Sequence, residues 1–489
     1  MSSTRISRRT LLGYAPAAAV AATVSPLLFG GEPVAAQPLS AQSLASPLEP
    51  SLPGLVASIE KAFAFQNFMM DAYATGNTVR VAQSYSDGEG LQATAFTYDN
   101  AVAIHAYLAS EDPALQARAV VLGEGLLYGQ AHPYPFQLND GRFPQAFFAN
   151  AQATDGSGAF VTPAAAPFYF YNSAVGDQAW AGMALAQLYH RTGDNRFLTA
   201  ALLVGNWIVQ NTYDPVGVGG FKFGATIVYN GYANVSEPST NGKSTEHNID
   251  TFAFFTMLST LTGGGSSSSG MSWTSLAAHA QSFVIRMFNP AGPFFYTGTL
   301  GDGQTINTTP IPEDVNTWSY LAFLNNTYRG TIDWALANLQ VTDTASAPHS
   351  SLTGAETIRG LVFDTASLAA AAAGTDPNAV WLEGTGHTIA ALAARVLHGG
   401  ENLFSLLKDL QTAGALVEQS IKAQMELGIG QTVNSKAIPA GEGLVAATSL
   451  MDTGFGYNYL PNLHIGATGW YLLGALAANP FRLGYRVVG

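Results

Sequence analysis

Six times along the chain a short polar and aromatic cluster runs straight into an apolar stretch of helical period. These are TYDN at 97–100, GDQAW at 176–180, TEHNID at 245–250, PEDVNTW at 312–318, WLEGTGH at 381–387 and LHIGATGW at 463–470. More ordinary amphipathic stretches alternate with them, near 113–128, 195–211, 272–288, 331–339 and 403–425, and one opened by Pro53 precedes the set. Apolar residues recurring at three and four positions specify helices, and a proline suits a first helical position, so the pattern predicts about twelve helices in pairs. The turns at 110–113 and 192–195 are short enough to join antiparallel neighbours. The loops that precede the clusters are long and rich in Gly, Pro and aromatic residues, which gives the architecture one functional end.

If six such hairpins close into a ring, the cluster-bearing helices form its inner layer and their N-termini meet at one mouth. That mouth would collect Tyr98, Asp99, Asp177, Trp180, Glu246, His247, Asp250, Asp314, Trp318, Trp381, Glu383, His387, His464 and Trp470. Acids in a first helical turn also complement the helix dipole, and aromatic residues at helical spacing are often core. The recurrence of the clusters, more than any one of them, points to a shared site.

The chain has 489 residues, of which 47% are hydrophobic and 11% charged, enough to bury a large core. Its formal net charge of −13 disfavours nucleic acid and anionic membranes as partners. Cysteine is absent, which removes disulfides, thiolate metal sites and a Cys nucleophile from consideration. Arg8-Arg9 ahead of a mildly apolar stretch, with Val34-Ala35-Ala36 after it, reads as a twin-arginine export signal over 1–36. A flexible leader then runs over 37–52, and a single domain over 53–489. The mature protein is expected in the periplasm or outside the cell, with no stable membrane association.

The order of the inner-helix motifs, TYDN, STEHNID, DVNTW, EGTGH and HIGATGW, resembles the bacterial six-hairpin, or (α/α)6-barrel, glycosidase superfamily, in particular its exported polysaccharide-processing members. That resemblance implies an all-α toroid with a glycan cleft at the inner-helix N-termini, a carboxylate pair for acid/base work and, by analogy, inversion at the sugar. Glycosidic cleavage needs a proton for the leaving oxygen and a base or nucleophile on the other face of the ring. Glu383, between Trp381 and the small Gly384-Thr385-Gly386, is the favoured general acid, because an apolar neighbour would raise its pKa. Glu246 is its expected partner, with Asp99 and Asp314 as replacements. Tyr98, Trp180, His247, Asp250, Trp318, Trp381, His387, His464 and Trp470 are candidate substrate-binding residues, and Asp250, one turn deeper, is expected to hold His247 or a neighbouring helix start. No motif calls for a cofactor or a metal, and the serines lack a G-x-S-x-G elbow. The expected activity is hydrolysis of a neutral glucan or exopolysaccharide. The alternatives are a polysaccharide lyase on the same fold and a non-catalytic glycan-binding envelope protein.

Overall fold

The computed structural model describes residues 51–132, 140–150, 173–225, 228–229, 232–233, 241–354, 356–369, 371–399 and 402–485. The expected export signal and nearly all of the leader lie outside them. Twelve α-helices are present among the described residues. In chain order they are α1 (Ser51–Met70), α2 (Thr97–Ala109), α3 (Pro113–Ala131), α4 (Val175–Thr192), α5 (Asn195–Thr212), α6 (Thr245–Leu261), α7 (Trp273–Arg286), α8 (Asp314–Phe323), α9 (Gly330–Asn338), α10 (Leu382–His398), α11 (Leu403–Glu426) and α12 (Ile465–Ala475).

The even-numbered helices form the inner ring. Each packs on the next, and α12 packs on α2 to close the circle; every inner helix also lies against an outer one, with α1 backing α12. This is the (α/α)6 barrel that the alternation predicts. The inner helices are buried almost all round, which is why the sequences of α2, α4 and α6 carry little amphipathic contrast. Close approach is needed where α10 crosses α12: a Cβ on Gly386 would stand 2.8 Å from the Trp470 carbonyl carbon. At the barrel centre the rings of Trp180, Trp318 and Trp470 meet at 5.3–5.6 Å between centroids, and Phe481 from the C-terminal segment joins them.

The inner helix starts follow one repeated pattern. Counted from Thr97, Val175, Thr245, Glu313, Leu382 and Ile465, the fourth residue is Asn100, Gln178, Asn248, Asn316, Thr385 or Thr468, and all six are buried. Each accepts a hydrogen bond from a backbone N–H in the loop just before its own helix. The donors are Ala82 (2.8 Å), Phe143 (2.8 Å), Phe221 (2.8 Å), Phe295 (2.9 Å), Leu361 (3.1 Å) and Leu444 (3.0 Å). Two residues further along each loop, a carbonyl accepts from the first N–H of the preceding inner helix: Thr97 to Gln145, Val175 to Phe223, Thr245 to Thr297, Glu313 to Phe363, Leu382 to Ala446 and, closing the ring, Ile465 to Ser84, at 2.8–3.0 Å. Every mouth loop is thus held by two adjacent inner helices. The bonds also supply partners for helix N-termini that mostly lack a capping side chain.

Asn248 shows what one such latch is worth. Its amide also donates to the Phe221 carbonyl at 3.0 Å, so Asn248→Ala would leave both backbone groups of Phe221 buried without that partner. We expect a loss of about 2–3 kcal/mol in chemical denaturation; a loss under about 0.5 kcal/mol would show that the latch carries no stability.

Candidate active site

The latch fixes what the residues before it do. With the fourth position turned into the loop, the second and third positions of successive inner helices face the hollow at the mouth. Tyr98, Gly176, Glu246, Asp314 and Glu383 at the second position, and Asp99, Asp177, His247 and Val315 at the third, line one cavity of 570 Å³. That volume falls in the range of small-molecule sites. Trp180 and Trp318 form its floor, and Tyr85, Phe363, Trp381, Phe455, Tyr457, Tyr459 and His464 complete the wall.

Glu383 sits in a dense set of hydrogen-bonding groups. The Tyr98 hydroxyl donates to its Oε1 at 2.5 Å and accepts from the Trp470 indole N–H at 2.8 Å. His464 Nδ1 stands 3.7 Å from Oε2, and His387 Nε2 stands 3.8 Å from Oε1. His464 Nδ1 accepts the Ala467 N–H at 3.2 Å, so the proton of the neutral ring lies on Nε2, directed at Asp99 Oδ2 3.0 Å away. Tyr85 stacks on that imidazole at 4.1 Å. Burial pushes the Glu383 carboxyl up, but the nearby imidazoles of His387 and His464 and the hydrogen bond from Tyr98 outweigh it and hold the group below its ordinary value.

The opposite holds across the cavity. Burial and the charges of Asp314, Asp250 and Asp177 raise Glu246 well above a normal glutamate. Burial and the neighbouring Glu313 bring Asp314 up to about 7, with His387 opposing the rise. The expected direction for Glu383 is therefore reversed: its carboxyl is held below the ordinary glutamate value and that of Glu246 above it. The reason is that imidazoles from two inner helices converge on Glu383, while three other acids converge on Glu246.

Three of the expected binding residues stand behind the cavity wall. Trp470 is buried and holds Tyr98; His387 is buried and bridges Glu383 to Glu313; Asp250 is fully buried below Glu246. Among the described residues no hydrogen bond joins Asp250 to His247, and the group that interacts with the Asp250 carboxyl is the Trp180 indole, so Asp250 does not hold His247. Burial keeps His247 neutral, with its pKa lowered to about 4. The face of Trp381 is covered by Tyr459, stacked at 5.6 Å and 29°. Tyr457 and Tyr459, loop aromatics that the sequence offers for sugar stacking, do reach the cavity. Sequence reasoning misses Glu313 and Tyr85; Tyr85 belongs to a loop, where periodicity gives no orientation. Among the described residues no group of three or more His, Asp or Glu side chains is placed to hold a metal ion.

The fold is shared with solved structures at low sequence identity. They include the α-mannanase of glycoside hydrolase family 76 from Bacteroides thetaiotaomicron, at 12% identity and a TM-score of 0.52 over 88% of this chain and 98% of that one. The cellobiose 2-epimerase from Spirochaeta thermophila aligns at 12% identity and 0.54 over 88% and 98%. That from Bacillus thermoamylovorans aligns at 11% and 0.53 over 87% and 99%. The sequence matches no protein-family model and no curated protein. These likenesses establish the (α/α)6 barrel.

Asp250 gives a test of the electrostatics. Burial and Asp314 raise its pKa well above the ordinary 3.8, so the folded state holds a proton that the unfolded state releases. The contribution is nil below about pH 4, and stability is lost as pH rises from there toward the folded pKa. Asp250→Asn removes this loss. Its melting temperature should match the parent near pH 4 and exceed it by several degrees at pH 8; a gain independent of pH would contradict the assignment.

Proposed function

We propose that the chain is an exported glycoside hydrolase cleaving O-glycosidic bonds of a neutral glucan or exopolysaccharide, with Glu246 as proton donor and Glu383 as the ionised partner. The observation that carries this reading is that one cavity presents a carboxyl kept protonated and another kept ionised, the division of labour that glycosidic cleavage requires. A family 76 glycoside hydrolase on the same fold supports it. Glu246, partly exposed to the cavity, protonates the departing oxygen; Glu383 assists attack at the anomeric carbon, oriented by Tyr98 and His464. Aromatic rings on the wall and floor offer faces for the C–H surfaces of pyranose rings. Asp314, near neutrality in pKa, and Asp99, paired with His464, support the pair. The lyase reading needs cations for a uronate. Among the described lining residues Lys243 is the one Lys or Arg, and its ammonium is already 2.9 Å from Asp214.

One observation favours a second reading, sugar epimerisation. Two imidazoles, His247 and His464, line the same cavity and could exchange a proton with a sugar carbon, and cellobiose 2-epimerases share the fold. Reducing-end assays on a glucan panel separate the two: hydrolysis creates new ends, whereas epimerisation changes the isomer without them. A parent that binds glycans but produces neither outcome would favour the non-catalytic alternative.

Glu246→Gln and Glu383→Gln should each lower kcat/KM on glycans by about 10²–10⁴-fold. On dinitrophenyl glycosides, whose leaving group needs no proton, Glu246→Gln should recover most of its activity and Glu383→Gln should not. The opposite pattern would return the acid role to Glu383. The acid limb of the pH profile belongs to Glu383, below the ordinary glutamate value of 4.5. Export is tested separately: replacing Arg8 and Arg9 by lysine should retain the precursor in the cytoplasm, and unimpaired export would remove the twin-arginine assignment.

A further inference from the structure

The sixfold repeat contains one exception. At the first position of the inner helix starts the chain has Thr97, Val175, Thr245, Leu382 and Ile465, which are apolar or bond the adjacent loop: the Thr97 hydroxyl donates to the Pro144 carbonyl and the Thr245 hydroxyl to the Tyr296 carbonyl. The remaining member is Glu313, with no exposed surface. This position points toward the next inner helix, so the Glu313 carboxylate meets α10. Its Oε1 accepts from the Thr388 hydroxyl at 2.8 Å, and its Oε2 lies 3.0 Å from His387 Nδ1. The other nitrogen of that imidazole, Nε2, has no hydrogen-bond partner among the described residues and faces Glu383 Oε1 at 3.8 Å. A buried acid at a structural position, with both oxygens committed and one histidine between it and the site, calls for a role.

We propose that Glu313 is a positioning residue that acts through His387, presenting a carboxylate-backed imidazolium to Glu383 and so fixing that group's orientation and charge. As a statement about catalysis this rests on the hydrolase reading above; as a statement about charge it does not. The groups facing the imidazole are Glu313 and Asp314 from the start of α8 and Glu383 from α10, with the rings of Trp318, Trp381 and Trp470 closing the remaining sides. Glu383 is faced in turn by Tyr98 from α2, His464 at the cap of α12 and the Tyr85 ring. Burial disfavours a charged His387, but the hydrogen bond to Glu313 and the charges of Glu313 and Glu383 prevail and raise it to about 8. Two anions flank one cation in a pocket walled by indoles, where a lone anion at Glu383 would be poorly supported.

The test uses the full mature chain with isotope-labelled histidine, the His387 resonance being assigned by its loss in His387→Asn. In the parent, His387 should stay protonated up to about pH 8. In Glu313→Gln it should titrate at or below the ordinary 6.5. Thr388→Val, which removes one hydrogen bond but no charge, should leave the titration nearly in place. On whichever glycan the parent cleaves, Glu313→Gln should lower kcat about tenfold or more, with KM changed less than about threefold, and move the acid limb to higher pH. A folded Glu313→Gln with an unmoved His387 titration overturns the proposal. So does a parent His387 that is neutral at pH 7, a result that stands even if Glu313→Gln does not fold. If the parent cleaves no glycan at any pH, the hydrolase reading fails while the titration still decides the role of Glu313.

Discussion

The architecture depends on a buried side-chain to backbone hydrogen bond made six times. Asn100, Gln178, Asn248, Asn316, Thr385 and Thr468 each tie an irregular loop to the helix that follows it, and the helix before supplies a second tie two residues on. Loops of this length would otherwise leave backbone groups unpaired under the mouth, at a cost that packing alone would not offset. The ties also set rotational register. Once the fourth residue of a helix is committed to its loop, a helical repeat of 100° per residue leaves the second and third residues turned to the hollow.

Within that frame the charges are arranged unevenly. One side gathers Glu246, Asp250, Asp314 and Asp177 with little cationic relief, and the other surrounds Glu383 with two imidazoles and a phenol. The same burial that raises every carboxyl is overruled only where those donors converge. Local sequence cannot show this, because the decisive neighbours come from other segments: His464 lies 365 residues from Asp99, and Tyr98 lies 285 residues from Glu383.

The helix pairs, the inner-outer alternation and the shared mouth were legible because buried inner helices and short turns leave strong periodic signals. The six clusters were legible too, but their recurrence had two causes. The polar residue that returns in each, Asn100 or Asn248 for example, is the latch, while the variable acids and rings before it are the site. Register separates the two, and register comes from hydrogen bonds between distant segments. Hence cluster membership alone groups Asp250 with the mouth residues although it lies one turn below them, and it gives no sign that Glu313, one step round the helix from Asp314, reaches the next inner helix. The direction of the Glu383 shift is hidden from the sequence for a related reason: Trp381 is its neighbour in the chain, but the imidazoles are its neighbours in space.

The closing tie from Ile465 to Ser84 joins the last inner helix to the first mouth loop, so the circle has no privileged unit. Four of the six hairpins offer two sockets to the hollow, α10 offers Glu383 alone, and all six keep their fastening elsewhere. Point substitution at those sockets can therefore exchange acid, imidazole, phenol or bare glycine, as Glu246, His247, Tyr98 and Gly176 already illustrate, without unfastening the scaffold. Such a separation lets one barrel change its chemistry in small steps while its shape persists.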